Sequence, residues 1–182
     1  LHIVDKAYDL LAQTLGKNWQ QHYIVWDMCC GVGNLEVKHS NHRNIFMSTL
    51  DQADIDVMKA SHTCVAATKF QYDYLNDAVD AAGQVDYALT HNVPEALRQA
   101  IADAKAGKRG AKKILVLMNP PYAEAMNVDN TNAAVSGKKS EAKRGVASTR
   151  IGASMEGMGY AARELYVQFL TRIKSELPGA AV

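Results

Sequence analysis

Tyr23-Ile24-Val25-Trp26-Asp27-Met28-Cys29-Cys30-Gly31-Val32-Gly33-Asn34-Leu35-Glu36 reads as a buried strand running into a tight turn. The apolar run 23–26 ends at Asp27, and Gly31 and Gly33 follow at once. Glycine admits positive φ and has no Cβ, so a turn of this kind lets a ligand approach the backbone closely. A helix is expected from about Asn34. A turn that cradles a dinucleotide pyrophosphate has a third glycine where this chain has Glu36. That favours a ligand held by hydrogen bonds without an anion cradle.

Outward from this segment, strands and helices alternate. Val4, Ala7, Leu11 and Leu15 share one helical face that stops at Gly16. A second strand is expected over Asn44 to Leu50, ending at Asp51, with a helix after it to about His62. A third, less apolar strand runs from Thr68 to Tyr74. Asn92, Pro94 and Glu95 together cap and open a helix reaching Lys105. Lys113-Ile114-Leu115-Val116-Leu117-Met118 is the most apolar strand. A final helix presents Leu165, Phe169 and Ile173 before Pro178. This alternation implies an α/β fold, a parallel sheet with helices on both faces joined by right-handed crossovers.

Bulk properties narrow the class. The chain has 182 residues, 48% hydrophobic and 21% charged, with a formal charge of +1. This is the profile of one globular domain and excludes a disordered tail or a uniformly basic coat. Cys29, Cys30 and Cys64 form neither a paired framework nor a zinc-ligand spacing. A reducing, cytoplasmic setting and no bound metal are therefore expected. No apolar run approaches the ~20 residues that span a bilayer, so no membrane partner is expected.

The strongest strand ends in Asn119-Pro120-Pro121-Tyr122, on the same sheet edge as the glycine turn. Consecutive prolines fix the backbone and remove two N–H donors. The Asn119 side-chain oxygen and the Pro120 carbonyl can then accept both hydrogens of an exocyclic amino group, while Tyr122 stacks on a flat ring.

With both segments in view, the chain resembles the class I S-adenosylmethionine-dependent methyltransferases, and among them the amino-group enzymes that modify adenine N6 in DNA. The resemblance covers nearly the whole chain, cofactor motif first and catalytic motif second. It implies a Rossmann-like fold and a cofactor loop over Asp27 to Glu36, with Asp27, Cys29, Gly31, Gly33 and Asn34 as contacts. Asp51 would bind the cofactor ribose and Asp73 its adenine. Asn119, Pro120, Pro121 and Tyr122 would form the catalytic tetrapeptide, acting on an adenine flipped out of the duplex. Family members often have an acid two residues before Asp51, where this chain has Thr49, and the bland reading of Asp51 is a helix cap.

The implied setting is a restriction-modification system, with DNA as substrate and a specificity or restriction module as a possible partner. RNA adenine, a protein glutamine amide and a non-catalytic cofactor- or DNA-binding subunit are the alternatives. Seven strands are usual in the family, whereas four are evident before the last helix. The chain is therefore expected to lack the final strands and a target-recognition domain, to leave its catalytic strand at a sheet edge, and to methylate poorly alone. A single catalytic domain is expected, with a long mobile loop over 123–159. Two basic clusters stand out. Lys105, Lys108, Arg109, Lys112 and Lys113 are expected to be solvated, and Lys138, Lys139, Lys143, Arg144 and Arg150 to lie near phosphate.

Overall fold

The computed structural model describes residues 2–122 and 149–182. The chain forms two compact units. The first takes in the chain up to Asp73 together with His91–Asn119 and Leu177–Val182, and the second Tyr74–Thr90 and Pro120–Glu176. Most of the loop expected over 123–159 lies outside the described residues.

The first unit is built on four parallel strands, β1 (Tyr23–Asp27), β2 (Ile45–Thr49), β3 (Thr68–Gln71) and β4 (Lys113–Val116), in the order β3-β2-β1-β4. Helix α1 (His2–Leu15) ends at Gly16, which has φ 94°, as the apolar spacing and the glycine stop require. A short helix, α2 (Trp19–His22), leads into β1. Helix α3 (Gln52–Ala60) links β2 to β3, and α4 (Glu95–Lys105) precedes β4. The N-cap of α4 is Pro94, with no side-chain cap, so the capping expected of Asn92 is not what opens this helix.

Side chains alternate between the two faces of the sheet. Val25, Ile45, Met47 and Leu115 pack with Tyr8, Trp19, Ile55 and Met58 from α1 to α3 in one buried cluster. Burying each aliphatic member contributes about 1.5–3 kcal/mol. Trp26 faces the other way. It is wholly buried, donates from Nε1 to Ser48 Oγ at 3.1 Å and lies 6.2 Å from the Tyr72 ring. Ile114, the neighbour of Leu115, meets Ile101 of α4 across a cleft. The outer edge of β4 is partly paired: Val116 donates to the Ala181 carbonyl at 2.8 Å and Ala181 to Ile114 at 3.2 Å, in a parallel bridge.

One expected element is absent. No α-helix follows the glycine turn; residues 31–38 form successive turns. An α-helix would pair His39 N–H with the Leu35 carbonyl. Instead the His39 N–H donates to the Glu36 backbone carbonyl at 2.9 Å, and the Leu35 carbonyl accepts from the Tyr8 hydroxyl at 2.9 Å. The Leu35 carbonyl is thus bonded by a tertiary partner and not by an amide of its own segment.

The second unit packs helices α5 (Arg150–Ser154) and α6 (Leu165–Glu176) with a segment starting at Tyr74. Helix α5 falls within the expected loop. Thr149 opens it by accepting from Gly152 N–H at 2.9 Å, and Ile151 and Met155 are buried. Arg172 is fully buried: its guanidinium carbon lies 4.2 Å from the Tyr74 ring centroid, and it donates to Glu176 at 3.1 Å and to the Asp77 carbonyl at 2.8 Å. Tyr74 and Tyr87 hydroxyls satisfy Glu176 at 2.6 and 2.5 Å. A buried ion pair persists only when its remaining hydrogen-bonding capacity is filled in this way.

Candidate functional site

Parallel pairing brings the glycine loop and Asn119 toward one edge of the sheet. β1 and β4 are neighbours, with Trp26 opposite Val116, and Leu117 N–H donates to the Trp26 carbonyl at 3.4 Å. The residues after each strand therefore leave the sheet side by side. The backbone N–H of Asn119 acts on the Cys29 thiol and slightly opposes the rise that burial gives it, so Asn119 lies near the glycine loop.

Short bonds hold the loop. Asp27 Oδ1 accepts from Cys29 N–H at 2.8 Å, Cys30 N–H donates to the Ser48 carbonyl at 3.0 Å, and Gly33 N–H donates to the Cys30 carbonyl at 2.9 Å. Its two glycines serve different ends. Gly31 has φ 52°, and the position of a Cβ there is open space. Gly33 has φ 81°, and a Cβ would stand 2.6 Å from Met47 Cε and 3.1 Å from Met58 Sδ. Its missing side chain makes room for the core.

Behind the loop lie two carboxyls. Asp27 is 1% exposed and Glu36 is wholly buried. Neither Glu36 oxygen has a donor. Its side-chain neighbour is Asp27, and two carboxyls can bond only when a proton lies between them. Burial, then the negative charge of Asp27, pushes Glu36 up to about 10. Burial raises Asp27 to about 6, opposed by the bond from Glu36 and the Cys29 amide. Burial also raises the Cys29 and Cys30 thiols, so neither is a thiolate at neutral pH. Both are half-buried, and Asn34 is exposed. The surface the loop presents is thus Cys29, Cys30, Gly31 and Asn34, with Asp27 as the charge beneath it.

The other expected residues are placed less uniformly. Asp51 is the exposed N-cap of α3 and accepts from Ala53 N–H at 2.9 Å, which is the bland reading of this residue. Thr49 is buried and donates to Asp54 Oδ2 at 2.8 Å. Asp73 is half-buried, two residues beyond β3. Asn119 is exposed at the end of its strand segment. Pro120, Pro121 and Tyr122 belong to the second unit, where Tyr122 is 76% exposed and its ring centroid lies 6.0 Å from that of Tyr166.

Two residues near the loop had no role in the sequence reading. Glu36 was visible there only as an acid in place of a third glycine. Asp54 adds negative charge that acts on Cys30, and its signal was its place three residues after the cap Asp51. His39 packs 5.3 Å from Trp19, and burial, then the charge of His42, lowers it to about 4. Of the basic residues, Lys105, Lys108, Lys112 and Lys113 line a cleft of about 420 Å³ at the start of β4, opposite the glycine loop. Arg150 is engaged in the second unit: its guanidinium donates to the Val79 carbonyl and its backbone N–H to Asn76 Oδ1. Lys138, Lys139, Lys143 and Arg144 lie outside the described residues.

Comparison of the chain with family models, with curated proteins and with solved structures gives no match.

Proposed function

We propose that this chain is the catalytic part of an S-adenosylmethionine-dependent methyltransferase with a Rossmann-like fold, acting on the N6 amino group of adenine in DNA within a restriction-modification system in the cytoplasm. The observation that carries the reading is the parallel pairing of β1 with β4, after which the glycine loop and Asn119 leave the sheet side by side. A methyl donor and an amino acceptor must meet within about 3–3.5 Å, and the two motifs suited to them leave neighbouring strands. The open space over Gly31 and the charge of Asp27 beneath it fit a ligand that carries positive charge.

Bound S-adenosylmethionine would supply a methyl group activated by its sulfonium. Cys29, Gly31 and Asn34 would hold its methionine portion, Asp51 its ribose and Asp73 its adenine, with Gly33 shaping the loop from behind. Asn119 and the carbonyl of Pro120 accept the two N6 hydrogens of the target base. That favours the pyramidal nitrogen on which charge develops, over the planar nitrogen of the ground state. No strong base is needed. Pro120 and Pro121 keep competing N–H donors away, and the exposed ring of Tyr122 replaces stacking lost by a flipped base. Among the described residues no helix is long and apolar enough to cross a membrane.

The test is transfer of labelled methyl from S-adenosylmethionine to DNA, RNA and protein fractions, with the chain supplied alone and with any specificity module of its parent. Label in adenine N6 of DNA supports the reading. Label in RNA or glutamine amide replaces the substrate, and cofactor binding without transfer to any fraction replaces catalysis with a binding role.

A further inference from the structure

Glu36 is a buried acid that neither the loop's shape nor the methyl-transfer scheme uses. It is wholly buried and no donor reaches either oxygen. The titratable groups with which it interacts are Asp27 from β1, Cys29 and Cys30 from the loop, Tyr8 from α1 and Cys64 from the turn after α3. Every one of these is neutral or negative at neutral pH. Lys69 bonds the Cys64 carbonyl and acts on Cys64 and Cys30, and no cation among the described residues shifts either carboxyl. Two charges in this space would repel without compensation, and one ionised carboxyl accepting from one protonated carboxyl is the arrangement that satisfies both.

We propose that Glu36 is a positioning residue that stays protonated and donates its carboxyl hydrogen to Asp27, so that the loop offers one fixed negative charge to a ligand bearing one net positive charge. This rests on the cofactor reading above. Donation to one Asp27 oxygen leaves the other to accept from Cys29 N–H, which ties the orientation of the charge to the loop that would carry the ligand. A second negative charge would attract a small inorganic cation as readily as a sulfonium. A single one is balanced by the methyl donor and left unbalanced by its uncharged demethylated product.

The test has two parts. Carboxyl ¹³C shifts are followed with pH in the ligand-free protein. The pair should titrate in two steps, near 6 and near 10, with the Glu36 carbon unchanged from pH 7 to 9. Affinities for sinefungin, which carries an amine in place of the sulfonium, and for S-adenosylhomocysteine are measured by calorimetry. Glu36→Gln keeps a donor to Asp27 and should hold sinefungin within about twofold, whereas Glu36→Ala should lose about tenfold or more, the scale of a hydrogen bond to a charged group. A Glu36 carbon titrating near its ordinary 4.5 overturns the proposal even if both ligands bind. So does a folded Glu36→Gln that loses sinefungin as fully as Glu36→Ala. If Glu36→Ala does not fold, the titration of the unmodified protein decides. If neither ligand binds while Glu36 titrates near 10, the cofactor reading falls and takes the ligand role of the pair with it, while the shared proton stands.

Discussion

Glu36→Gln should make the protein progressively more resistant to denaturant, relative to the parent, as pH rises. The folded parent keeps a proton on Glu36 up to about 10, whereas the unfolded chain gives it up near 4.5. The group's contribution is complete below 4.5, shrinks as pH rises and is gone above 10, because the folded state holds the proton more tightly. Each pH unit in that window costs about 1.4 kcal/mol. Glutamine has no proton to lose and escapes the cost, although its second N–H remains without a partner at about 1–3 kcal/mol. The absolute offset between the two proteins therefore mixes two effects, but the slope does not. Between pH 7 and pH 9 Asp27 is ionised in both, and the variant should gain about 3 kcal/mol on the parent. Urea unfolding followed by tryptophan fluorescence measures this directly, since Trp19 and Trp26 are both buried in the unit that contains Glu36. Stability profiles that run parallel from pH 7 to 9 would refute the shared proton.

Asn119→Ala should abolish methyl transfer while sinefungin affinity stays within about twofold, because the side chain acts on the acceptor and not on the donor; equal loss of both contradicts the assignment. Gly33→Ala should destabilise the first unit by about 1–3 kcal/mol in thermal unfolding, since the new Cβ meets Met47 Cε at 2.6 Å in a left-handed backbone. Glu176→Ala strands the buried Arg172 and two tyrosine hydroxyls, and calorimetric unfolding should lose about 3–5 kcal/mol in the second unit. Asp51→Asn keeps a good helix cap, so stability should hold while sinefungin affinity falls about tenfold if the carboxylate serves the ribose as proposed.

Much of the sheet was legible because its strands are short apolar runs bounded by glycine, proline or acid. The segment from Lys113 to Met118 and the run from Tyr23 to Asp27 announce themselves, and β2 and β3 follow within a few residues of their expected limits. Parallel order then brings the glycine loop and Asn119 to one edge without further information. What local pattern could not supply was competition from distant partners. Where a helix was expected after Gly33, the chain is folded into turns, and the Leu35 carbonyl is bonded by Tyr8, 27 residues earlier. The methionines that a Cβ at Gly33 would meet, Met47 and Met58, lie on other elements. Arg150 was expected near phosphate, and its guanidinium donates to the Val79 carbonyl, 71 residues away. Each case turns on a contact between different elements, which no window of ten residues contains.

The hydroxyl that Tyr8 extends to Leu35 also has a kinetic implication. A stretch folded into turns without a regular ladder has little cooperativity of its own, so its amides exchange with solvent whenever the brace lets go. Tyr8→Phe would remove that brace yet leave the ring in its place against Trp19. Faster deuterium uptake confined to residues 33–39 would then measure how much of the loop's rigidity is lent to it by the opening helix.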